Sequence, residues 1–180
     1  MTRGSHVAIL PIRTFGDPVL RERAREVEGF DQTLARLADD MIETMHDAPG
    51  VGLAAPQVGR SIRLVVFDIG EGARALVNPV LSGLEGEQLG DEGCLSVPGL
   101  YFQVKRALKV RADALDVEGR PVVIEAEELM ARVLQHEVDH IDGVLFIDRL
   151  SPSDRKAALA AIRDQTLGFA GAAPDPSRAL

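Results

Sequence analysis

The chain has 180 residues, 46% of them hydrophobic and 27% charged, which bounds it to a single globular domain with a core of its own. Twenty Lys and Arg against 28 Asp and Glu leave a net charge of −8, which argues against a general affinity for nucleic acid, DNA included, or for an anionic membrane, and leaves room only for a local basic patch. No apolar run approaches the ~20 residues needed to span a bilayer.

Residues 1–30 read as an extended lead-in. The apolar start, Val7 to Ile12, is cut by Pro11 and is too short for the apolar region of a secretion signal. Asp17-Pro18 marks a turn, and Arg21 to Glu28 is a charged surface run. Asp31 is placed to cap a helix on which Leu34, Leu37, Ala38, Met41, Ile42 and Met45 share one face. That helix should end before Pro49-Gly50.

Gly50-Val51-Gly52-Leu53-Ala54-Ala55-Pro56-Gln57 follows, small and almost uncharged. Two glycines a residue apart permit close backbone approach, but a phosphate loop needs Lys and Ser/Thr that are missing here. Taken alone, the segment is a packed turn. Strands are expected at Ile62–Phe67 and Ala75–Val80, with a turn at Gly70 to Gly72. Leu84 to Gly90 reads as a polar connection running into Asp91-Glu92-Gly93-Cys94-Leu95-Ser96-Val97-Pro98. Further strands are expected at Leu100–Val104, Ala107–Ala112 and Pro121–Glu125, with Glu118-Gly119-Arg120 turning into the last.

Glu125 to Ile141 contains neither Gly nor Pro, and Leu129, Val133 and Leu134 recur at helical spacing, so a long helix ends at Gly143. Val144 to Ile147 reads as a short strand, and Ser151-Pro152 opens a final helix. From Gly168 onward Gly, Ala, Pro and Ser dominate. The expected division is a single catalytic domain over residues 1–167 and a disordered tail over 168–180.

The chemistry lies in Gln135-His136-Glu137-Val138-Asp139-His140. On a helix, His136 and His140 stack on one face with Cβ atoms about 5–6 Å apart, a separation that lets two imidazoles share one metal ion. Glu137, rotated by roughly 100°, cannot join them as a ligand but can act as a base on water held there. A catalytic site of this kind takes a third protein ligand. The metzincin pattern would need His at position 146, which is Phe146, and no Glu follows Glu137 to complete a thermolysin-like set. A zinc endopeptidase is therefore disfavoured. Cys94, the one cysteine, is the favoured third ligand; Asp148, Asp164 and His46 are the alternatives, and a closed structural metal site is the non-catalytic reading. A lone cysteine makes no internal disulfide, which fits a reducing cytosol.

Three blocks in order, Gly50 to Gln57, Glu92 to Ser96 and Gln135 to His140, resemble peptide deformylase, and the likeness extends over about residues 7 to 165. The resemblance implies an α+β fold with antiparallel β-sheets packed around a central helix that carries His-Glu-x-x-His. It implies removal of the formyl group from the N-terminal formyl-methionine of new bacterial polypeptides, hence a cytoplasmic enzyme with an N-formyl-Met peptide as substrate.

By the same resemblance Cys94, His136 and His140 bind one divalent metal, Fe²⁺ by expectation, with Zn²⁺, Ni²⁺ or Co²⁺ able to occupy the site. Glu137 is then the general base and acid, while Gln57 and the backbone N–H of Leu95 hold the developing oxyanion. Gly52 pairs with the substrate backbone, and Val51, Glu92, Leu129 and Val133 line or border the methionine pocket. Some family members carry arginine where this chain has Tyr101, which alters contacts beyond the methionine. Arg149, Arg155, Lys156 and Arg163 around the final helix are a candidate contact with the ribosome surface, set against the plainer reading of a solvated charged face.

Overall fold

The computed structural model describes residues 7–168, so the expectation for the tail beyond Gly168 lies outside the described residues. Helix α1 spans Gln32–Asp47 and starts as read, with the Asp31 carboxylate accepting from the Thr33 and Leu34 N–H groups. Strands β1 (Gly52–Ala54), β2 (Leu64–Phe67), β3 (Arg74–Glu85), β6 (Lys109–Leu115) and β7 (Pro121–Glu127) form one antiparallel sheet in the order β1-β2-β3-β6-β7. Between them in sequence, β4 (Gln88–Cys94) and β5 (Val97–Arg106) pair as a separate antiparallel hairpin. Helix α2 covers Glu128–Ile141, and α3 covers Pro152–Thr166. The α+β architecture expected from the sequence is the one found.

Strand β2 shows why the layers stack as they do. All four of its residues are buried. Val65 and Phe67 join α2 residues Val133, Leu134 and Ile141 in one cluster. Leu64 and Val66 join α1 residues Leu34, Ala38, Met41 and Met45 in another. Alternate side chains of a strand point to opposite faces, so a strand apolar on both is sandwiched between two helices. A third cluster holds the hairpin to the C-terminal segment through Val97, Val104, Leu145, Phe146, Ile147 and Ala158, and it contains Cys94.

Four elements depart from the sequence reading. Gly52–Ala54, inside the segment read as a packed turn, is a strand because it pairs with β2 from Gly52↔Phe67 to Ala54↔Val65. Strand β4 was expected as a polar connection; it has no β-branched residue, and pairing with β5 from Gln88↔Arg106 to Cys94↔Val97 is what makes it a strand. Helix α2 begins three residues later than expected, because Ala126 and Glu127 still pair with Val110 and Lys109. Val144 to Ile147 is not a strand. Phe146–Arg149 forms a 3-10 turn, with the Asp148 carboxylate accepting from the Leu145 N–H at 3.0 Å. Gly143 ends α2 at φ +77°, and a Cβ there would lie 2.7 Å from the Arg21 carbonyl oxygen. Only glycine meets both demands. Among the described residues no helix is long and apolar enough to cross a membrane.

Candidate active site and metal centre

Four elements bring their residues to one buried point. Helix α2 supplies His136, Glu137 and His140, the end of β4 supplies Cys94, the 3-10 turn Ala55–Val58 supplies Gln57, and β1 supplies Gly52. Cys94, His136 and His140 are buried and offer ligand atoms within 4.8 Å of one another. The Cys94 Sγ lies 3.3 Å from His140 Nε2, which lies 3.2 Å from His136 Nε2. Donors about 2.0–2.3 Å from a shared tetrahedral ion sit about 3.3–3.6 Å from one another, so this spacing fits a metal.

The donor chemistry points the same way. Glu92 Oε2 lies 2.9 Å from His136 Nδ1, which puts the ring proton there and turns the Nε2 lone pair to the centre. Burial, the largest influence, pushes His140 well below the usual imidazole range, so its lone pair also stays free. With the His136 ring proton on Nδ1, both Nε2 atoms converge beside the sulfur as donors, an arrangement that suits a cation held between them. A thiolate with two imidazoles suits a soft or borderline divalent metal.

Glu137 is buried, and neither of its carboxylate oxygens has a hydrogen-bond partner among the described residues. Burial, the largest influence, pushes its carboxyl up to about 7. Gln57 is fixed at one end, its Oε1 accepting from the Ala54 N–H at 2.8 Å. Its amide NH₂ therefore faces the centre, 3.7 Å from Cys94 Sγ and 3.2 Å from Ser96 Oγ. Leu95 and Ser96 make the turn between Cys94 and Val97, which puts the Leu95 N–H one residue from the sulfur.

Of the residues expected to border a methionine pocket, Val51 is half-buried and Val133 lies wholly within the α2 core cluster. Leu129, one turn earlier on α2, is 47% exposed. Glu92 requires a revision. It is 0% exposed, and its carboxylate is taken up by Arg106 at 2.8 and 3.0 Å, Arg132 at 2.8 Å and His136 at 2.9 Å. It holds the histidine rather than walling a pocket. Among the alternative ligands, His46 pairs with Asp68, Asp148 with Arg21, and Asp164 with Arg163, all away from the centre.

The sequence reading did not single out Arg106, Arg132 and Asp139. Arg106 also donates to Asp139 at 2.6 Å, and Arg149 grips the same carboxylate at 2.6 and 3.0 Å. One signal was available: Arg106 stands two residues after Val104 on β5, so it shares the inward face and must bring a counter-charge with it.

Residues 9–156 match the family model for polypeptide deformylase. The chain belongs to the peptide deformylase family. It is 55% identical over 158 residues to the peptide deformylase of Acidothermus cellulolyticus, covering 88% of each chain. It is 51% identical over 150 residues to that of Desulfitobacterium hafniense, covering 83% of this chain and all of the relative. The peptide deformylase structure from Thermus thermophilus superimposes with a TM-score of 0.84 at 51% identity, covering 89% of this chain and 97% of that one. The structure of peptide deformylase from Ehrlichia chaffeensis in complex with actinonin gives 0.83 at 36% identity, covering 88% and 98%. The enzyme accordingly removes N-formyl groups from nascent peptides, as the family does.

Within this deformylase fold, Gly52 makes room for the Glu137 side chain. A Cβ at position 52 would lie 2.8 Å from Glu137 Cδ and 3.0 Å from Cγ. Gly52→Ala is expected to push the carboxylate out of place and lower kcat for formate release by at least about tenfold, since small misplacements of a catalytic group are costly. Wild-type kcat in that variant would remove the steric argument.

Proposed function

We propose that the domain drawn at residues 1–167 is a metal-dependent hydrolase that releases formate from N-formyl-methionyl peptides in the bacterial cytoplasm. Fe²⁺ is its working ion, and Zn²⁺, Ni²⁺ or Co²⁺ are able to replace it. The observation that carries this reading is the convergence of Cys94, His136 and His140 beside a buried, unpartnered Glu137. Cys94, His136 and His140 would hold a divalent ion, which would supply hydroxide near neutral pH and Lewis acidity towards the formyl group.

The chain's own residues supply the rest. Glu137 accepts the proton of the attacking water and returns it to the departing amine. Water adds to the formyl carbon, the C–N bond breaks, and formate and a free amino terminus leave. As charge gathers on the formyl oxygen, the Gln57 amide and the Leu95 N–H donate to it; one such donor typically contributes 10²–10³ in rate. Gly52 offers backbone to an extended peptide, and Val51, Leu129 and Val133 border the methionine side chain. Actinonin, seen with the Ehrlichia chaffeensis relative, is expected to occupy the same centre.

Metal-loaded protein prepared without oxygen should release formate from an N-formyl-methionyl peptide. His136→Ala should lose both the metal and the activity. If metal-loaded wild type releases no formate, the reading is wrong, and cleavage of internal unformylated bonds would make the protein an endopeptidase.

The α3 surface gives weak support to a ribosome contact. Arg149 pairs with Asp139, Arg155 with Asp148 and Arg163 with Asp164, which leaves Lys156 as the one cation of the four without a carboxylate among the described residues.

A further inference from the structure

Arginines in this chain are mostly committed to partners. Of fifteen among the described residues, ten reach a carboxylate and one lies over the Phe67 ring. Arg23, Arg25, Arg36 and Arg60 do neither. Three of these four, Arg25, Arg36 and Arg60, line a single open cleft of about 480 Å³ between α1 and residues 59–62. In a chain of net charge −8, that concentration of unpaired guanidinium groups stands out.

The backbone beneath the cleft is held firmly. The Arg25 N–H donates to the Ser61 carbonyl at 3.2 Å, and the Arg25 carbonyl accepts from the Arg63 N–H at 2.9 Å. Arg36 stands on α1, and Arg60 follows Gly59, whose φ is +79°. Thr33 and Ser61 add hydroxyls to the wall. The single carboxylate there, Asp40, already accepts from the Ala8 N–H at 2.7 Å. Beyond Arg25 the adjoining cleft turns acidic through Glu26, Glu28 and Asp31, which limits a polyanion to the arginine end.

We infer that this cleft binds phosphate groups of an RNA backbone. Guanidinium forks joined by hydroxyl donors match phosphate oxygens, and each arginine is free to take one. The choice of RNA rests on the deformylation reading, because a nascent peptide is presented on an RNA-rich particle. Free phosphate shares the chemistry, so the test must separate the two.

The experiment follows the fluorescence anisotropy of a labelled single-stranded oligouridylate mixed with the full-length, metal-loaded enzyme. Three phosphate contacts on a single strand predict a log–log salt slope of about −2, so raising salt from 50 to 200 mM should weaken binding about twentyfold. The variant Arg25→Gln/Arg36→Gln/Arg60→Gln should bind at least about tenfold more weakly at 50 mM and lose most of that slope, with formate release unchanged. Arg36→Gln alone, an exposed change on α1, should show a smaller loss in the same direction.

Arg23→Gln, the unpaired arginine outside the cleft, should bind as wild type does. Equal losses in Arg23→Gln and Arg36→Gln would overturn the site. Displacement of the RNA by inorganic phosphate at an equal phosphate concentration would make it a free-phosphate site, and equal affinity for polyglutamate would reduce it to charge alone. Because RNA binding is read separately from formate release, an enzyme without deformylase activity could still pass or fail this test.

Discussion

Glu137→Gln is expected to lower kcat for formate release by about 10²–10⁴ while metal content stays at the wild-type level. The amide has the shape of the carboxylate and fits the space that Gly52 leaves, but it cannot take a proton from water. The same change should leave stability level or improve it. Glu137 is 1% exposed and neither oxygen has a hydrogen-bond partner among the described residues, so the fold carries a desolvated carboxyl with no donor to it there. A group that costs stability and is indispensable to rate is the signature of a residue retained for chemistry. A variant keeping more than about a tenth of wild-type kcat would remove Glu137 from the mechanism.

The pH profile adds a second handle on the same residue. Burial raises the Glu137 carboxyl to about 7, and a dication bound nearby favours the ionised form and draws the value down. As the proposed base, Glu137 would work only when ionised, so kcat/KM should fall as pH drops and the acidic limb should lie at or below pH 7. Glu137→Gln should flatten that limb. An acidic limb of unchanged midpoint in the residual activity would assign it to another group.

Helices α1 and α3 were legible because their signals are local. Asp31 caps one, Ser151-Pro152 opens the other, and the apolar face of α1 repeats at helical spacing. The grouping of His136, Glu137 and His140 was legible because helical geometry alone puts them together. Strand β4 was not, because its strand character comes from β5, a partner that local propensity cannot see. The same hairpin explains the misreading of Glu92. The resemblance placed it at the border of the methionine pocket, yet the carboxylate turns towards Arg106 on β5 and Arg132 on α2. Gly90 belongs to this arrangement, since a Cβ there would lie 3.1 Å from the Arg132 guanidinium. Charges that meet only through tertiary packing leave a faint trace in sequence, here an arginine on the inward face of a strand.

Arg106→Ala should produce the largest loss of stability of any single change at the centre. Arg106 is 6% exposed and bridges Glu92 and Asp139, both buried. Its removal strands two carboxylates in the interior, although Arg132 still reaches Glu92 and Arg149 still reaches Asp139. Breaking a buried pair from one side costs about 3–5 kcal/mol. At about 2–4 °C per kcal/mol for a chain of this size, Tm should drop by roughly 6–20 °C.

Metal affinity should fall as well, by about 10–100-fold, because a displaced Glu92 no longer fixes the His136 ring. Burial alone would raise the Glu92 carboxyl, but hydrogen bonds from His136 and Arg106 outweigh it and hold the group far below its ordinary 4.5. The stability this confers is therefore complete above pH 4.5 and is lost as pH falls from there towards the folded value. Arg106→Ala should weaken that acid dependence. Pairing Arg106→Met with Glu92→Gln should be milder than the sum of the two single changes, since the double variant strands less charge at Glu92. Additive losses, or an Arg106→Ala protein that melts within a degree or two of wild type and takes up metal normally, would mean that the arginine packs beside the histidine's anchor without supporting it.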